Sequence, residues 1–308
     1  MDEQARNEWR QRRAALESSP WKNTVLGPRK ASARPNILST GLIIWLLRAL
    51  GLYRRGIANA LDLRLNRVEF AFAHLPAGFD GYTILHLSDI HIGELEGIVE
   101  RAAALVCGLS VDLVVLTGDV QRRRRPNASA AARALEPLTR ALTTRDGIVA
   151  VLGNHDGHEL PEALETIGLR ILVNEPMELW RNGDRIHIAG TDDVHRFFTD
   201  HAVAALEARP PGFSIALVHS PELAGVAARA GYALYLTGHT HGGQIAFPGG
   251  RPIITDTVLH QRLSSGAWQL DGMIGYTSRG IGTARVPCRF NCRGEIALIR
   301  LHRASHNS

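Results

Sequence analysis

Short apolar runs alternate with longer amphipathic ones along most of this chain. Thr83-Ile84-Leu85-His86-Leu87, Asp112-Leu113-Val114-Val115-Leu116 and Ile148-Val149-Ala150-Val151-Leu152 are nearly continuous apolar runs, and Ser214 to Val218 and Tyr232 to Leu236 repeat the texture. Apolar runs of this length, bounded by turn residues, predict buried strands. Residues 96–108, 128–142, 161–167, 199–208 and 222–230 read as the helices between them. Val68, Phe70 and Phe72 alternate with polar or small residues and predict an earlier strand. Shorter alternating segments lie near 170–173 and 185–190, and residues 244–302 read mostly as strands and turns, clearest at Met273 to Ser278 and Glu295 to Leu301. Strands alternating with helices predict an α/β domain.

Polar residues gather where the apolar runs end. Ser88-Asp89-Ile90-His91 follows the first, Thr117-Gly118-Asp119 the second, and Gly153-Asn154-His155-Asp156 the third. His219-Ser220-Pro221 and Gly238-His239-Thr240-His241 follow the last two. Open α/β sheets build their sites at these carboxyl ends. Residues i and i+2 leaving a strand point the same way, so Asp89 with His91, and His239 with His241, can enter one site. The flanking glycines let the backbone turn sharply and let a ligand come close. Asp89, His91, Asp119, Asn154, His219, His239 and His241 together offer four imidazoles, two carboxylates and one amide oxygen. That set is enough for two adjacent divalent cations. Mixed nitrogen and oxygen donors suit manganese, iron, cobalt or zinc better than calcium or magnesium. Two cations about 3.5–4 Å apart can bind a phosphate and neutralise the charge that develops when its ester is displaced.

These five signatures, in this order, resemble the calcineurin-like metallophosphoesterase family over residues 83–247. The resemblance implies an α/β four-layer αββα sandwich of two mixed β-sheets, with the metal site at the strand ends along one edge. It assigns Asp89, His91 and His241 to a first metal, Asn154, His219 and His239 to a second, and Asp119 to bridging both. It makes His155 the group that faces the phosphoryl oxygens, as general acid or charge stabiliser, with Asp156 to orient it. It implies hydrolysis of a phosphate ester by a hydroxide held between the metals, with manganese the favoured ion. Gly242-Gly243-Gln244 and Ser278-Arg279-Gly280-Ile281-Gly282-Thr283 resemble a bacterial, often membrane-attached phosphodiesterase branch. One departure stands out: where the family often carries an Asp three residues after the bridging one, this chain has Arg122, in a run that continues to Arg125.

Charge changes the picture for the N-terminal segment alone. Residues 1–66 carry 12 Lys and Arg against 5 Asp and Glu, and the rest carries 23 against 25. The basic character therefore belongs to the segment and not to the body, which argues against a specific nucleic-acid groove and suits an anionic membrane surface. The division expected is a basic segment, 1–66, and a catalytic domain, 67–303. Residues 1–36 are polar and read as disordered or loosely helical. The run Ile37 to Tyr53 is apolar, but its charge-free part ends at Leu47, short of the roughly 18–20 residues that span a bilayer. A helix lying in the membrane interface, a marginal signal-anchor and a surface packed on protein all remain open for it. The expectation is a membrane-associated enzyme of the bacterial cell membrane, on either face, acting on a phosphodiester or pyrophosphate bond of a lipid-linked or nucleotide-lipid substrate. The alternatives are a phosphomonoesterase or protein phosphatase, a nuclease, and, from another class, a non-catalytic scaffold.

The remaining chemistry-bearing residues read as structural. Cys107 is expected in the core, and Cys288 and Cys292 are too few and too close for a disulfide framework. His86 is expected in the core, and His158, His187, His195, His201 and His260 show no ligand spacing. Asp192 and Asp193 read as a turn, Arg122 to Arg125 as a solvated loop, and Arg279, Arg285 and Arg289 as solvated.

Overall fold

The computed structural model of the chain describes residues 1–30, 40–124, 126–248, 252 and 261–304. The N-terminal region comprises α1 (Glu3–Ser18), a hairpin of β1 (Trp21–Thr24) and β2 (Gly27–Lys30), α2 (Thr40–Ala49) and α3 (Tyr53–Leu61). The first sheet is laid down by β3 (Arg64–Phe72), β4 (Thr83–Leu87), β6 (Leu113–Thr117), β8 (Ile148–Val151) and β9 (Leu169–Ile171). Between these run α4 (Ile98–Val106), α5 (Ala128–Ala141) and α6 (Leu160–Glu165), with β5 (Ser110–Val111) and β7 (Thr143–Thr144) as a small separate pair. The second sheet follows as β10 (Glu175–Arg181), β11 (Asp184–Gly190), β12 (Ser214–Leu217), β13 (Leu234–Thr237), β14 (Gly266–Leu270) and β15 (Met273–Thr277), with α7 (Asp200–Glu207) and α8 (Ala224–Ala230). The chain then returns to the first sheet as β16 (Glu295–Arg303).

Both large sheets have six strands, in the orders β3-β16-β4-β6-β8-β9 and β10-β11-β12-β13-β15-β14. Both are mixed: β4, β6, β8 and β9 run parallel, β16 is antiparallel to β4, and β10 and β14 are antiparallel edges of the second sheet. Alternation along the strands sorts the side chains into layers. Ile84, Val115, Val149, Ile186, Ile215, Leu217, Leu236 and Ile299 meet between the sheets. Leu85, Leu87, Val114, Leu116 and Ala150 face the other way, onto α4, α5 and α6. Ala189, Ala216, Val218 and Tyr235 face α7 and α8. The expected αββα sandwich is therefore present. Helix α5 shows why the helices dock: Asn127 caps it by accepting from the Ala130 N–H at 2.9 Å, and Ala128, Ala131, Ala132, Leu135 and Leu138 bury one face.

The predicted elements fall within a few residues of the observed ones, and the differences have physical causes. Strands β10 and β14 escape the sequence pattern because they are the two edges of the second sheet, where polar residues alternate with partly buried ones. Residues 3–18 are an ordered helix rather than a loose polar stretch, capped by Asp2 and docked through buried Trp9 and Arg13. Of the run 37–53, residues 37–39 lie outside the described residues. The rest forms α2, ten residues long and buried nowhere, and the start of α3, which does dock on the body. Among the described residues no helix is long and apolar enough to cross a membrane. Cys107 is exposed, not core, because α4 ends at Val106 and the chain turns away through Gly108 at φ 80°.

The inter-sheet layer should dominate stability. Leu217→Ala is expected to cost about 2–5 kcal/mol in denaturant unfolding. Arg140→Ala, which breaks only the exposed i,i+4 pair with Glu136, should cost less than about 1 kcal/mol.

Candidate metal centre

The strands β4, β6 and β8 of the first sheet and β12 and β13 of the second all end at one edge of the sandwich. Each hands over to a turn that bends sharply. Five of the seven expected ligands have left-handed backbone: Asp89 (φ 53°), His91 (49°), Asp119 (54°), His239 (70°) and His241 (51°). Non-glycine residues adopt that region at a cost, and clusters of them mark places where the fold overrides local preference. The turns also need two glycines for close approach. A Cβ on Gly153 would lie 2.2 Å from Asp119 Oδ1, and one on Gly238 would lie 1.9 Å from Ser88 Oγ.

The turns bring all seven side chains together, in two sets. In the first, His91 Nε2 lies 3.0 Å from His241 Nε2, and Asp89 Oδ1 lies 3.9 and 3.5 Å from the same two atoms. In the second, His219 Nε2 lies 3.2 Å from Asn154 Oδ1 and 3.3 Å from His239 Nδ1. Asp119 Oδ2 joins them, at 3.6 Å from His91 Nε2 and 3.4 Å from His219 Nε2. Donors bound to one cation at about 2.0–2.2 Å stand roughly 3–3.5 Å apart, so both sets have the spacing of a coordination shell. The buried Asp89 Oδ1 has no hydrogen-bond partner, which a cation would supply. The residues therefore fit two metals, with Asp119 between them.

On Asp89, Asp119 and His219 the other polar atom is held by protein. Asp89 Oδ2 accepts from Ser88 Oγ at 2.6 Å and from the His239 N–H at 2.9 Å. Asp119 Oδ1 accepts from the His155 N–H at 2.7 Å. His219 Nδ1 donates to the Thr117 carbonyl at 2.7 Å, so Nε2 is the atom that faces the other donors, and although burial lowers the ring, Asp119 beside it outweighs that and raises it well above its usual value. Burial raises the Asp119 carboxyl, but the His219, His155 and His91 rings outweigh it and hold the carboxyl well below its usual range. The ligands are buried except Asn154, which with His155 is partly exposed, so the site opens to solvent on their side.

His155 belongs to neither set. Its Nδ1 accepts from the Arg123 N–H at 3.1 Å, which leaves the proton of the neutral ring on Nε2. Burial, against the pull of Asp119, lowers the ring to about 3, so it is neutral near pH 7. It stands edge-on to His91 at a centroid distance of 4.8 Å. His155 is thus a fixed hydrogen-bond donor at the mouth of the site.

Asp156 does not orient that ring. Its Oδ2 accepts from the Asp119 N–H at 2.8 Å and the Gly153 N–H at 2.9 Å, and its Oδ1 from the Gln121 N–H at 2.9 Å. Three backbone donors claim the carboxylate, and it fixes the turns carrying Asp119 and Asn154. The residue that sets the His155 tautomer is Arg123, through its main chain.

Other residues around the centre differ from their sequence reading. Arg289 is fully buried: its NH2 donates to the Arg279 carbonyl at 2.7 Å and to the Gly280 carbonyl at 3.2 Å, and lies 3.3 Å from His241 Nδ1. It ties the last loop under a metal ligand, whereas Arg285 is exposed and Arg279 partly so. His195 is buried with its ring 4.1 Å from that of His239, and its Nδ1 lies 2.9 Å from Glu222 Oε1. A lone His and a lone Glu in separate loops carry no spacing, so the sequence held no signal for this pair. Asp192 is no simple turn residue: it is buried and bound by Arg13 and by Trp9 Nε1 at 2.8 Å. Asp193 does close a turn, accepting from the His195, Arg196 and Phe197 N–H groups. Arg122 pairs with Glu94, and Arg125 and His260 lie outside the described residues. His86 is core, as expected, with Nε2 2.8 Å from Thr117 Oγ1. Cys288 and Cys292 are free and buried.

A two-metal donor set at the carboxyl edge of an αββα sandwich, with a neutral imidazole donor at its mouth, defines a metal-dependent phosphoester hydrolase. The sequence profile of the calcineurin-like phosphoesterases matches residues 82–243, more than half of the chain, and the protein belongs to that family. It is similar to the metallophosphoesterase YkuE of Bacillus subtilis, at 32% identity over 74% of this chain and 81% of the relative. It is similar to the phosphodiesterase YaeI of Escherichia coli, at 29% identity over 71% of this chain and 82% of the relative. A zebrafish transmembrane protein with a metallophosphoesterase domain is 28% identical over 89% of this chain and 65% of its own length.

Metal analysis separates ligands from the donor. Asp119→Ala should lose both ions by elemental analysis after gel filtration, while His155→Ala should retain both. The ¹⁵N chemical shifts of the His155 ring should report protonation at Nε2, and an Nδ1-protonated ring would contradict the geometry.

Proposed function

We propose that this protein is a phosphodiesterase acting at a membrane surface, on a phosphodiester or pyrophosphate bond of a lipid-linked or nucleotide-lipid substrate. The observation that carries the hydrolytic part is the pair of donor sets sharing Asp119 beside the fixed His155 donor. Manganese is the ion we favour there, from the mixed imidazole and carboxylate donors. Two bound cations would supply Lewis acidity towards a phosphoryl oxygen and lower the pKa of a coordinated water. The seven candidate ligands would hold the cations, and His155 Nε2–H would meet a phosphoryl or leaving-group oxygen. Asp156 keeps Asp119 and the Asn154 turn in place. Burial, and then the charge of Arg124 from the loop on His155, lower the pKa of Arg196, which packs over Phe197. This cationic margin suits an anionic substrate.

Likeness to a named phosphodiesterase supports the diester over the monoester. The membrane part rests on α2 and its flanks. Leu42, Trp45, Leu46, Leu50 and Leu52 are exposed at 41%, 62%, 37%, 67% and 36%, with Arg48, Arg54 and Arg55 alongside. Exposed leucines and a tryptophan mixed with arginines suit a helix lying in the interface of an anionic membrane. Residues 1–66 are in this reading the targeting segment and 67–303 the catalytic domain, although α1 also packs on that domain.

Metal-stripped protein reloaded with Mn²⁺ should hydrolyse bis-p-nitrophenyl phosphate faster than p-nitrophenyl phosphate, and His155→Ala should lower that rate about 10²–10⁴-fold. Faster monoester turnover would replace the reading by a phosphatase, and cleavage of DNA or RNA in preference to either would make it a nuclease. Sedimentation with phosphatidylglycerol vesicles should be lost in Trp45→Glu/Leu46→Glu, and equal recovery of the two proteins would remove the membrane claim.

A further inference from the structure

The N-terminal helix reaches the metal centre through one side chain. Arg13 is 1% exposed, and its guanidinium lies behind the Gly153–Asp156 turn. Its NH2 donates to the Gly153 carbonyl at 3.1 Å and to the Asp156 carbonyl at 2.9 Å. Those two carbonyls bracket Asn154, a ligand, and His155, the donor. Its NH1 binds Asp192, which follows β11, and its Nε lies 3.3 Å from Glu17 Oε1. The guanidinium carbon sits 3.8 Å from the centre of the Phe197 ring.

We propose that Arg13 is a positioning residue of the second metal site, and that α1 is thereby part of the catalytic machinery. This rests on the metal centre described above but on no particular substrate. The turn that carries Asn154 follows β8 of the first sheet, whereas Asp192 follows β11 of the second. His219 and His239, the partners of Asn154, also come from the second sheet. Arg13 therefore spans the two sheets where the second donor set is assembled across them, and it fixes the gap that Asn154 must close. Asp156 holds the same turn from the other side, through its carboxylate on the Gly153 and Asp119 N–H groups. A planar fork is needed here, because one nitrogen meets the carboxylate while another meets both carbonyls, and the point charge of a lysine cannot do both. Two more contacts lock the assembly. Trp9 Nε1 takes the second oxygen of Asp192, and Glu17 accepts from the His158 N–H at 2.8 Å, just past the turn.

The rival explanation is that Arg13 merely anchors α1. Removing Arg13 alone would strand the buried Asp192 charge and destabilise the fold for an unrelated reason. Arg13→Met/Asp192→Asn removes both charges together, and the single Asn oxygen keeps one of the two N–H partners of Asp192, Trp9 Nε1 or the Asp193 main chain. Arg13→Lys keeps the charge without the fork, and Arg10→Ala, which breaks an exposed pair with Glu162, is the control. Thermal unfolding, Mn²⁺ titration calorimetry, amide exchange of residues 153–156 in the metal-free protein, and turnover of bis-p-nitrophenyl phosphate are measured on each full-length variant. The expected result for the double variant is near-wild-type unfolding, one of two Mn²⁺ ions bound roughly 10–100-fold more weakly, faster exchange at 153–156, and a lower kcat at unchanged KM. Arg13→Lys should show the same metal and exchange defects, and it decides the question if the double variant does not fold. Arg10→Ala should match wild type throughout. A folded double variant, or failing that a folded Arg13→Lys, with wild-type affinity for both ions and unchanged exchange overturns the proposal. Wild-type protein that binds two Mn²⁺ ions without diester turnover would sink the phosphodiesterase reading and leave titration and exchange to judge Arg13.

Discussion

Within the edge of the sandwich, imidazole nitrogens and carboxylate oxygens face one another about one coordination-shell spacing apart. His91 Nε2 and His241 Nε2 meet at 3.0 Å, and Asp89 Oδ1 is buried without a donor. With both rings presenting lone pairs, as metal ligands do, that arrangement is repulsive unless a cation lies between them, and burial leaves little water to screen it. Positive charge at the centre removes the conflict. The surroundings are consistent with that demand: every outward-facing polar atom of Asp89, Asp119 and His219 is tied to a main-chain or hydroxyl group, and only the inward atoms remain available. Five left-handed ligand residues show how far the backbone bends to satisfy it.

The constraint also explains why two sheets are needed. The first sheet presents Asp89, His91, Asp119 and Asn154, and the second presents His219, His239 and His241. Neither sheet holds a complete set alone. The inter-sheet core fixes the coarse distance, and specific ties at the rim make the fine adjustment. Arg289 draws the final loop under His241, Asp156 joins the Asp119 and Asn154 turns, and Arg13 joins the Asn154 turn to the far sheet. Buried arginines bound to carbonyl groups suit this role, because one planar cation can satisfy several carbonyls at once.

The gap between chemistry and substrate lies in different parts of the chain. The candidate ligands and His155 all lie within residues 82–243, where the family profile matches. Features that would select a lipid or nucleotide partner lie in α2, outside that span, and in the arginines beside His155, within it. The same N-terminal region carries α1, packed against the catalytic turn, and α2, whose apolar side chains face solvent. One segment thus holds both a helix that packs on the centre and a helix with no buried residue.

The strand–helix alternation and the polar clusters at the strand ends were legible in the sequence because both depend on local pattern, whereas the αββα order and the division of the candidate ligands into two sets came from the family resemblance. A buried strand must be apolar along its length, and a site at its end must follow within a few residues. Asp89-Ile90-His91 and Gly238-His239-Thr240-His241 therefore announce themselves without any knowledge of what lies opposite. Edge strands β10 and β14 did not, because half their surface meets water and any polar residue is tolerated there. Tertiary structure alone decided the pairings between distant segments. It took Asp156 away from His155 and gave it to three backbone amides, buried Arg289, set His195 against His239, and brought Arg13 across some 140 residues to the Gly153 carbonyl. Such contacts answer to packing and to the need to satisfy every buried polar group, and neither leaves a period or a spacing in the chain.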